Sequence, residues 1–129
     1  MKPSKPSKPS KPIIDSTRFG SITIAGEEYP HDVLIRLDGQ VRKRKKKLSK
    51  QVYGTSHIVS LAEAEHVYEA GARRLIFGTG QSGAAGLSKE AEEYFRQKKC
   101  QVETLPTPQA ILAWNEANGE VIGLFHVTC

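Results

Sequence analysis

The fold is decided by residues 74–105, RLIFGTGQSGAAGLSKEAEEYFRQKKCQVETL. Arg74-Leu75-Ile76-Phe77 is a short apolar run that reads as a buried strand. Gly78 to Gly86 follows as a glycine- and alanine-rich loop. Ser88 then caps a helix that runs to Lys99, with Ala91, Tyr94 and Phe95 on its inner face. Gln101 to Leu105 returns to strand. A strand, a helix and a second strand in this order form a crossover unit, and crossovers join parallel strands.

The same alternation continues outward. On the C-terminal side, Thr107-Pro108 reads as a cap followed by proline at the first helical position. That helix extends to Asn118-Gly119 with Ala110, Ile111 and Trp114 inward, and residues 121–127 form the last strand. On the N-terminal side, Ser60-Leu61-Ala62-Glu63 fits a capping box. Leu61, Ala64, Val67 and Tyr68 make a buried helical stripe that Gly71 ends. Before Gly54 the pattern is β. Ser21-Ile22-Thr23-Ile24 alternates, Ala25-Gly26-Glu27 turns, and residues 33–37 form a strand. Asp38-Gly39 is a two-residue hairpin signal, and Val41 starts a return strand carrying basic side chains on both faces. These elements predict an α/β fold: a single three-layer domain, a mixed β-sheet with flanking helices and an N-terminal β-hairpin region.

A chain of 129 residues with 38% apolar content supports one core and not two. No run approaches the roughly 18 apolar residues of a membrane span. The formal charge is +5, but residues 1–12, MKPSKPSKPSKP, carry four lysines and residues 42–47 carry six cations; removing both from +5 leaves −5. The body is therefore mildly acidic, with a basic tail and a basic strip. Residues 1–12 are expected to be a disordered tail of polyproline II character, since every third residue is proline, and residues 13–129 the folded domain. Neither a secretory signal nor an amphipathic presequence is legible at the N-terminus. Cys100 and Cys129 lack a Cys-x-x-Cys partner, so free thiols and a cytoplasmic location are expected.

Three features carry candidate chemistry. Gly78-Thr79-Gly80-Gln81-Ser82-Gly83 is a formal G-x-G-x-x-G after a strand, with Glu103 twenty residues past its last glycine. Its helix cap, Ser88, lies five residues beyond the motif, which disfavours a dinucleotide and leaves a small anion or polar ligand on Gly78, Thr79, Gly80, Gln81 and Ser82. Tyr53-Gly54-Thr55-Ser56-His57 is the densest polar cluster. Thr55, Ser56 and His57 are candidate ligand-binding residues, and the plainer reading is a turn whose hydroxyls satisfy backbone groups. The strip Arg42, Lys43, Arg44, Lys45, Lys46 and Lys47 reads as an exposed hairpin edge protected by lysine, or as a contact for an acidic protein partner. It has no interleaved aromatics, which disfavours nucleic acid. On a strand His126 shares a face with Thr128 and not with Cys129, and His31 and His66 have no evident partners, so no metal site is expected.

The combination of Arg18-Phe19-Gly20-Ser21, Asp38-Gly39, Tyr53-Gly54-Thr55-Ser56-His57, Gly78-Thr79-Gly80, Trp114-Asn115 and Phe125-His126-Val127-Thr128-Cys129 resembles the Mth-nine-three-eight-like domain family over residues 13–129. The resemblance implies a three-layer α/β fold and carries no catalytic residues or cofactor. Animal relatives include a cytoplasmic adipogenesis-associated protein and a mitochondrial respiratory complex I assembly factor. The family pattern has Tyr-Asn where this chain has Trp114-Asn115. The expected function is a non-enzymatic interaction or assembly module with an unidentified protein partner, with homo-oligomerisation open. The alternatives are a small-molecule site or enzyme built from Thr55, Ser56, His57, Thr79 and Gln81, and a non-specific nucleic-acid binder using the tail and the basic strip.

Overall fold

A five-stranded mixed sheet lies at the centre of the computed structural model, which describes residues 11–129. In chain order the elements are β1 (Ile14–Arg18), β2 (Ser21–Ile24), β3 (Glu27–Tyr29), β4 (Val33–Ile35), β5 (Val41–Lys43), α1 (Lys47–Tyr53), β6 (Ile58–Val59), α2 (Leu61–Val67), β7 (Arg74–Thr79), β8 (Gly86–Leu87), α3 (Lys89–Gln97), β9 (Gln101–Leu105), α4 (Thr107–Glu116) and β10 (Val121–His126). The sheet order is β5-β4-β10-β7-β9. β10 runs parallel to β7, which runs parallel to β9, while β4 is antiparallel to both β10 and β5. β1, β2 and β3 form a separate antiparallel sheet, and β6 pairs with β8 in parallel.

β10 is central because every one of its residues is buried, as expected of a strand covered on both faces. Its side chains alternate between two cores. Val121 and Phe125 join Val33, Ile35 and Ile76 against α4 and the small sheet, where Trp114, Ile14 and Ile22 pack. Ile122 and Leu124 join Leu34, Leu75 and Phe77 against α2 and α3, where Val67 and Phe95 pack. The chain steps outward from β7 to β9 through α3 and back across β7 to β10 through α4. Opposite steps with one handedness place the two helices on opposite faces, which gives three layers.

Four local expectations are corrected. The basic run does not continue as a strand: β5 stops at Lys43, and Lys47 opens α1. The straight-chain residues of 47–51 favour a helix, and Gly54 ends it at φ 72° with its N–H on the Lys50 carbonyl. The hairpin loop is longer than two residues, because Gly39 N–H bonds the Arg36 carbonyl and Arg36 N–H bonds the Gln40 carbonyl. Leu61 is 38% exposed rather than part of the buried stripe. Thr107 is not a cap: it is the first residue of α4, after Pro106, and its hydroxyl accepts from Gly80 N–H and donates to the His126 carbonyl.

Lys11 and Pro12, inside the segment expected to be tail, pack against α4; residues 1–10 of that segment lie outside the described residues. The Lys11 ammonium bonds the Trp114 carbonyl and sits 4.8 Å from its ring centroid, and Trp114 Nε1–H donates to the Pro12 carbonyl at 2.8 Å. Asn115 accepts from Ile14 N–H and donates to the Ile14 carbonyl, both at 2.9 Å, as a neighbouring strand would.

Candidate functional site

The carboxyl ends of β7 and β10 lie side by side, with Thr79 opposite His126. Because β4 is antiparallel, its amino end reaches the same edge and brings Asp32 there, and Arg44 follows directly from β5. The Arg44 N–H bonds the Asp32 carbonyl, so the last turn of β5 aims the Arg44 side chain inward. It is almost fully buried, although its five neighbours in the basic strip are exposed.

Arg44 is the hub of a closed ion cluster. Its Nε and Nη2 clasp both oxygens of Glu63 at 2.6 and 2.9 Å, and its Nη1 reaches Asp32 Oδ2 at 2.9 Å. Nη2 also donates to the Ser56 carbonyl at 2.8 Å. Ser49 Oγ–H donates to Glu63, and the same oxygen accepts from Ser60 N–H at 2.9 Å. Ser60 keeps its predicted cap on Glu63 N–H, but the Glu63 carboxylate does not reach back to close the box. It serves the buried guanidinium instead.

On the far side of Asp32, Oδ1 accepts from Val127 N–H at 2.9 Å and Oδ2 meets His126 Nδ1 at 2.8 Å. Burial pushes the Asp32 carboxyl up, but the His126 hydrogen bond, the Val127 N–H and the charges of His126 and Arg44 outweigh it and hold the group at about 2. Asp32 is therefore an acceptor at neutral pH, and Nδ1 of His126 carries a proton. The Thr128 hydroxyl lies within hydrogen-bond distance of Nε2, at 3.1 Å. The Arg44 guanidinium is disfavoured by burial, yet the carboxylates of Glu63 and Asp32 raise it above its ordinary value.

Thr128, His126 and Asp32 share the order of a nucleophile relay, hydroxyl to imidazole to carboxylate. The surroundings do not complete one. His126 is 2% exposed, with the His57 ring 5.3 Å away edge-on. No oxyanion donor is free in the adjoining loop. Gly80 N–H goes to Thr107, Gln81 N–H to the Thr128 carbonyl, Ser82 and Ala84 N–H to the Cys129 main-chain oxygen, and Ala85 N–H to Thr79. Among the described residues no buried side-chain nitrogen or oxygen lacks a partner. The cluster is a saturated lock.

The same bonds explain the glycine motif. A Cβ on Gly80, which has φ +108°, would stand 2.3 Å from the Cys129 carbonyl carbon. A Cβ on Gly78 would stand 2.9 Å from both Phe125 and Thr107. The glycines admit this chain's own C-terminal segment and α4, and an anion at these amides would have to displace residues 128–129. Thr79 is buried, Ser82 Oγ–H donates to the Cys129 oxygen at 2.7 Å, and the Gln81 amide bonds Thr17 at 3.0 Å, tying the small sheet to this edge.

The two polar loops do meet, since β6 pairs with β8 and Gly86 N–H bonds the His57 carbonyl. Thr55 Oγ accepts from His57 N–H at 3.1 Å, the geometry of a threonine turn. Ser56 contributes its carbonyl to Arg44. In the strip, Arg42 and Lys43 lie on the edge strand β5, while Lys45, Lys46 and Lys47 gather at the start of α1. Among the described residues no group of three or more His, Cys, Asp or Glu is arranged to hold a metal. Sequence reasoning missed Asp32, Ser49 and the pairing of Arg44 with Glu63. One signal was available: Glu63 lies one turn before Val67 on the inward helical stripe, so it required a buried cation.

The molecule is thus a small three-layer α/β domain, locked at the carboxyl ends of its parallel strands by a buried ion cluster. The chain belongs to the family described as Protein of unknown function (DUF498/DUF598), whose model matches residues 14–126. It is similar to the conserved hypothetical protein PH1505 from Pyrococcus horikoshii OT3, at 31% identity and a TM-score of 0.84 over 90% of this chain and 98% of that one. It is also similar to a solved structure named MT938, at 34% identity and a TM-score of 0.79 over 92% of this chain and 100% of that one. A Bordetella pertussis protein described as a Mth938-like domain shares the fold at 16% identity and a TM-score of 0.59, over 98% of this chain and 92% of that one. The expected three-layer architecture and family resemblance both hold. Among the described residues no helix is long and apolar enough to cross a membrane.

Proposed function

We propose that this chain is a non-enzymatic, cytoplasmic protein-interaction module whose interface is the segment 45–61. One observation carries the reading. Of the seven exposed large apolar side chains among the described residues, Val52, Tyr53, Ile58 and Leu61 fall within ten residues of one another. Single exposed apolar residues are ordinary, but a cluster is what a docking surface presents. Leu61 also lines a groove of about 430 Å³ between α2 and α3. Tyr53 reaches Glu90 at 3.5 Å, and Glu90 and Leu61 line that groove together.

The buried cluster supports this role by holding the segment rigid. Arg44 grips the Ser56 carbonyl and Ser49 grips Glu63, so α1, the turn and α2 are tied at three points. A pre-ordered surface binds with less entropy loss. Lys45, Lys46, Lys47 and Lys50 flank the patch, exposed and without carboxylate partners among the described residues. The partner surface that fits is an apolar side chain with acidic residues toward the α1 lysines and basic residues toward Glu65, Glu90 and Glu93 of the groove. Free thiols suit a reducing compartment.

Quantitative affinity capture tests this with wild type, the triple variant Val52→Ser/Tyr53→Ser/Leu61→Ser, and the remote variant Leu112→Ser. A partner held by wild type and Leu112→Ser, and reduced about tenfold or more by the triple variant at unchanged Tm, supports the interface. Equal capture by all three variants overturns it. Self-association that the triple variant abolishes identifies the partner as a second copy.

A further inference from the structure

At the end of the sheet opposite the ion cluster, the amino ends of β7 and β9 form an open groove of about 570 Å³. Two dibasic pairs line it, Arg73-Arg74 and Lys98-Lys99, together with Tyr68 and Gln101. They are remote in sequence. The parallel register of Arg74 with Gln101, and the Gln101 N–H on the Arg73 carbonyl at 2.9 Å, bring them together.

The concentration of cations runs against the rest of the body, which is net acidic once the tail and the strip at 42–47 are set aside. Arg74 pairs with Glu103 at 2.8 Å, and both ends of that pair are partly solvent-exposed. Among the described residues Arg73, Lys98 and Lys99 have no carboxylate partner. Lys98 is placed by aromatic faces instead, 5.8 Å from the Tyr68 ring centroid and 5.5 Å from that of Tyr94. Its ammonium donors stay available.

Lys99 supplies an independent sign. It follows the α3 cap at φ +58°, the left-handed position that glycine ordinarily fills after a helix. Lysine there is worse for folding than glycine. Basic residues near a helix C-terminus do complement the helix dipole, but that benefit does not require the strained position itself.

We propose that this groove binds a small molecule bearing two or more linked phosphates. Arg73 supplies a planar fork for one phosphate, and Lys98 and Lys99 supply point charges for the next. The groove's volume of about 570 Å³ leaves room for linked phosphates, and its cations come from two separate segments of the chain.

The test is amide NMR of the full chain at about 150 mM salt, where weak surface attraction is largely screened. The probes are inorganic triphosphate, ADP and inorganic monophosphate. Triphosphate and ADP are expected to shift the amides of Arg73, Lys98, Lys99 and Gln101, with monophosphate much weaker. Stronger binding of ADP assigns the phosphates to a nucleotide, and equal or stronger binding of triphosphate assigns them to an inorganic chain. Arg73→Gln and Lys99→Gly should each weaken binding about tenfold, the scale of one charge-assisted hydrogen bond. Lys99→Gly should hold or raise Tm, which separates loss of binding from loss of fold. Neutralising Lys45, Lys46 and Lys47 should leave the shifts unchanged. Undiminished binding in Arg73→Gln and Lys99→Gly overturns the proposal. So does binding that disappears with the strip variant, and so does the absence of shifts with both triphosphate and ADP.

Discussion

The two ends of the central sheet handle charge in opposite ways. At the carboxyl ends of β7 and β10, Arg44, Asp32, Glu63 and His126 are buried and each of their buried side-chain nitrogens and oxygens has a hydrogen-bond partner. At the amino ends of β7 and β9, Arg73, Lys98 and Lys99 stand at the surface, and the ion pair of Arg74 with Glu103 is partly open to water. Burial makes the difference. A desolvated guanidinium persists only with full compensation, so removing any one partner of the first cluster leaves an uncompensated buried charge. Water compensates the second group without help from the protein, which leaves its cations free for another molecule.

The sharpest way to break this contrast is to remove one arginine from each end. Arg44→Met leaves two buried carboxylates without their cation and should cost about 3–5 kcal/mol in urea unfolding. Arg73→Met should change stability by less than about 0.5 kcal/mol. A cost below about 1 kcal/mol for Arg44→Met would mean that the cluster is not the lock described here.

Acid titration sharpens the comparison. The Asp32 carboxyl lies at about 2 in the fold against an ordinary value of 3.8. The folded value is depressed, so the stabilisation is complete above about pH 4 and disappears as pH falls toward 2. Its size is about 2 kcal/mol. Stability measured across that window should fall in wild type and be flatter in Asp32→Asn, which starts from a lower value at pH 7.

The smallest effect belongs to the open end. A double-mutant cycle on Arg74→Ala and Glu103→Ala should give a coupling below about 1 kcal/mol that shrinks with added salt. A larger, salt-insensitive coupling would show that this end is more closed than its exposure indicates.

Much of the fold was legible because its signals are local. Ser60 and Ser88 accept from the third residue onward, as N-caps do, and the apolar runs at 74–77 and 121–127 became the paired inner strands. The N-terminal region was read less well. A lysine-rich stretch suits a helix surface and a strand edge alike, so α1 was invisible without knowing what its neighbours cover. The glycine motif was legible as a place of close backbone approach, but not as to what approaches. Nothing within Gly78 to Gly83 specifies whether a phosphate or the main chain of Cys129 lies against Gly80.

The sequence by itself determined the alternation of strand and helix, the caps and the two-sided burial of the inner strands, because periods of two and 3.6 residues and short-range hydrogen bonds act within a few residues. Only the tertiary structure decided which charges are buried. Asp32 and His126 are 94 positions apart, and nothing in the run 42–47 marks Arg44 rather than Arg42 as the cation that the sheet buries. Desolvation and ion pairing depend on neighbours in space, and the strand order β5-β4-β10-β7-β9 supplies those neighbours.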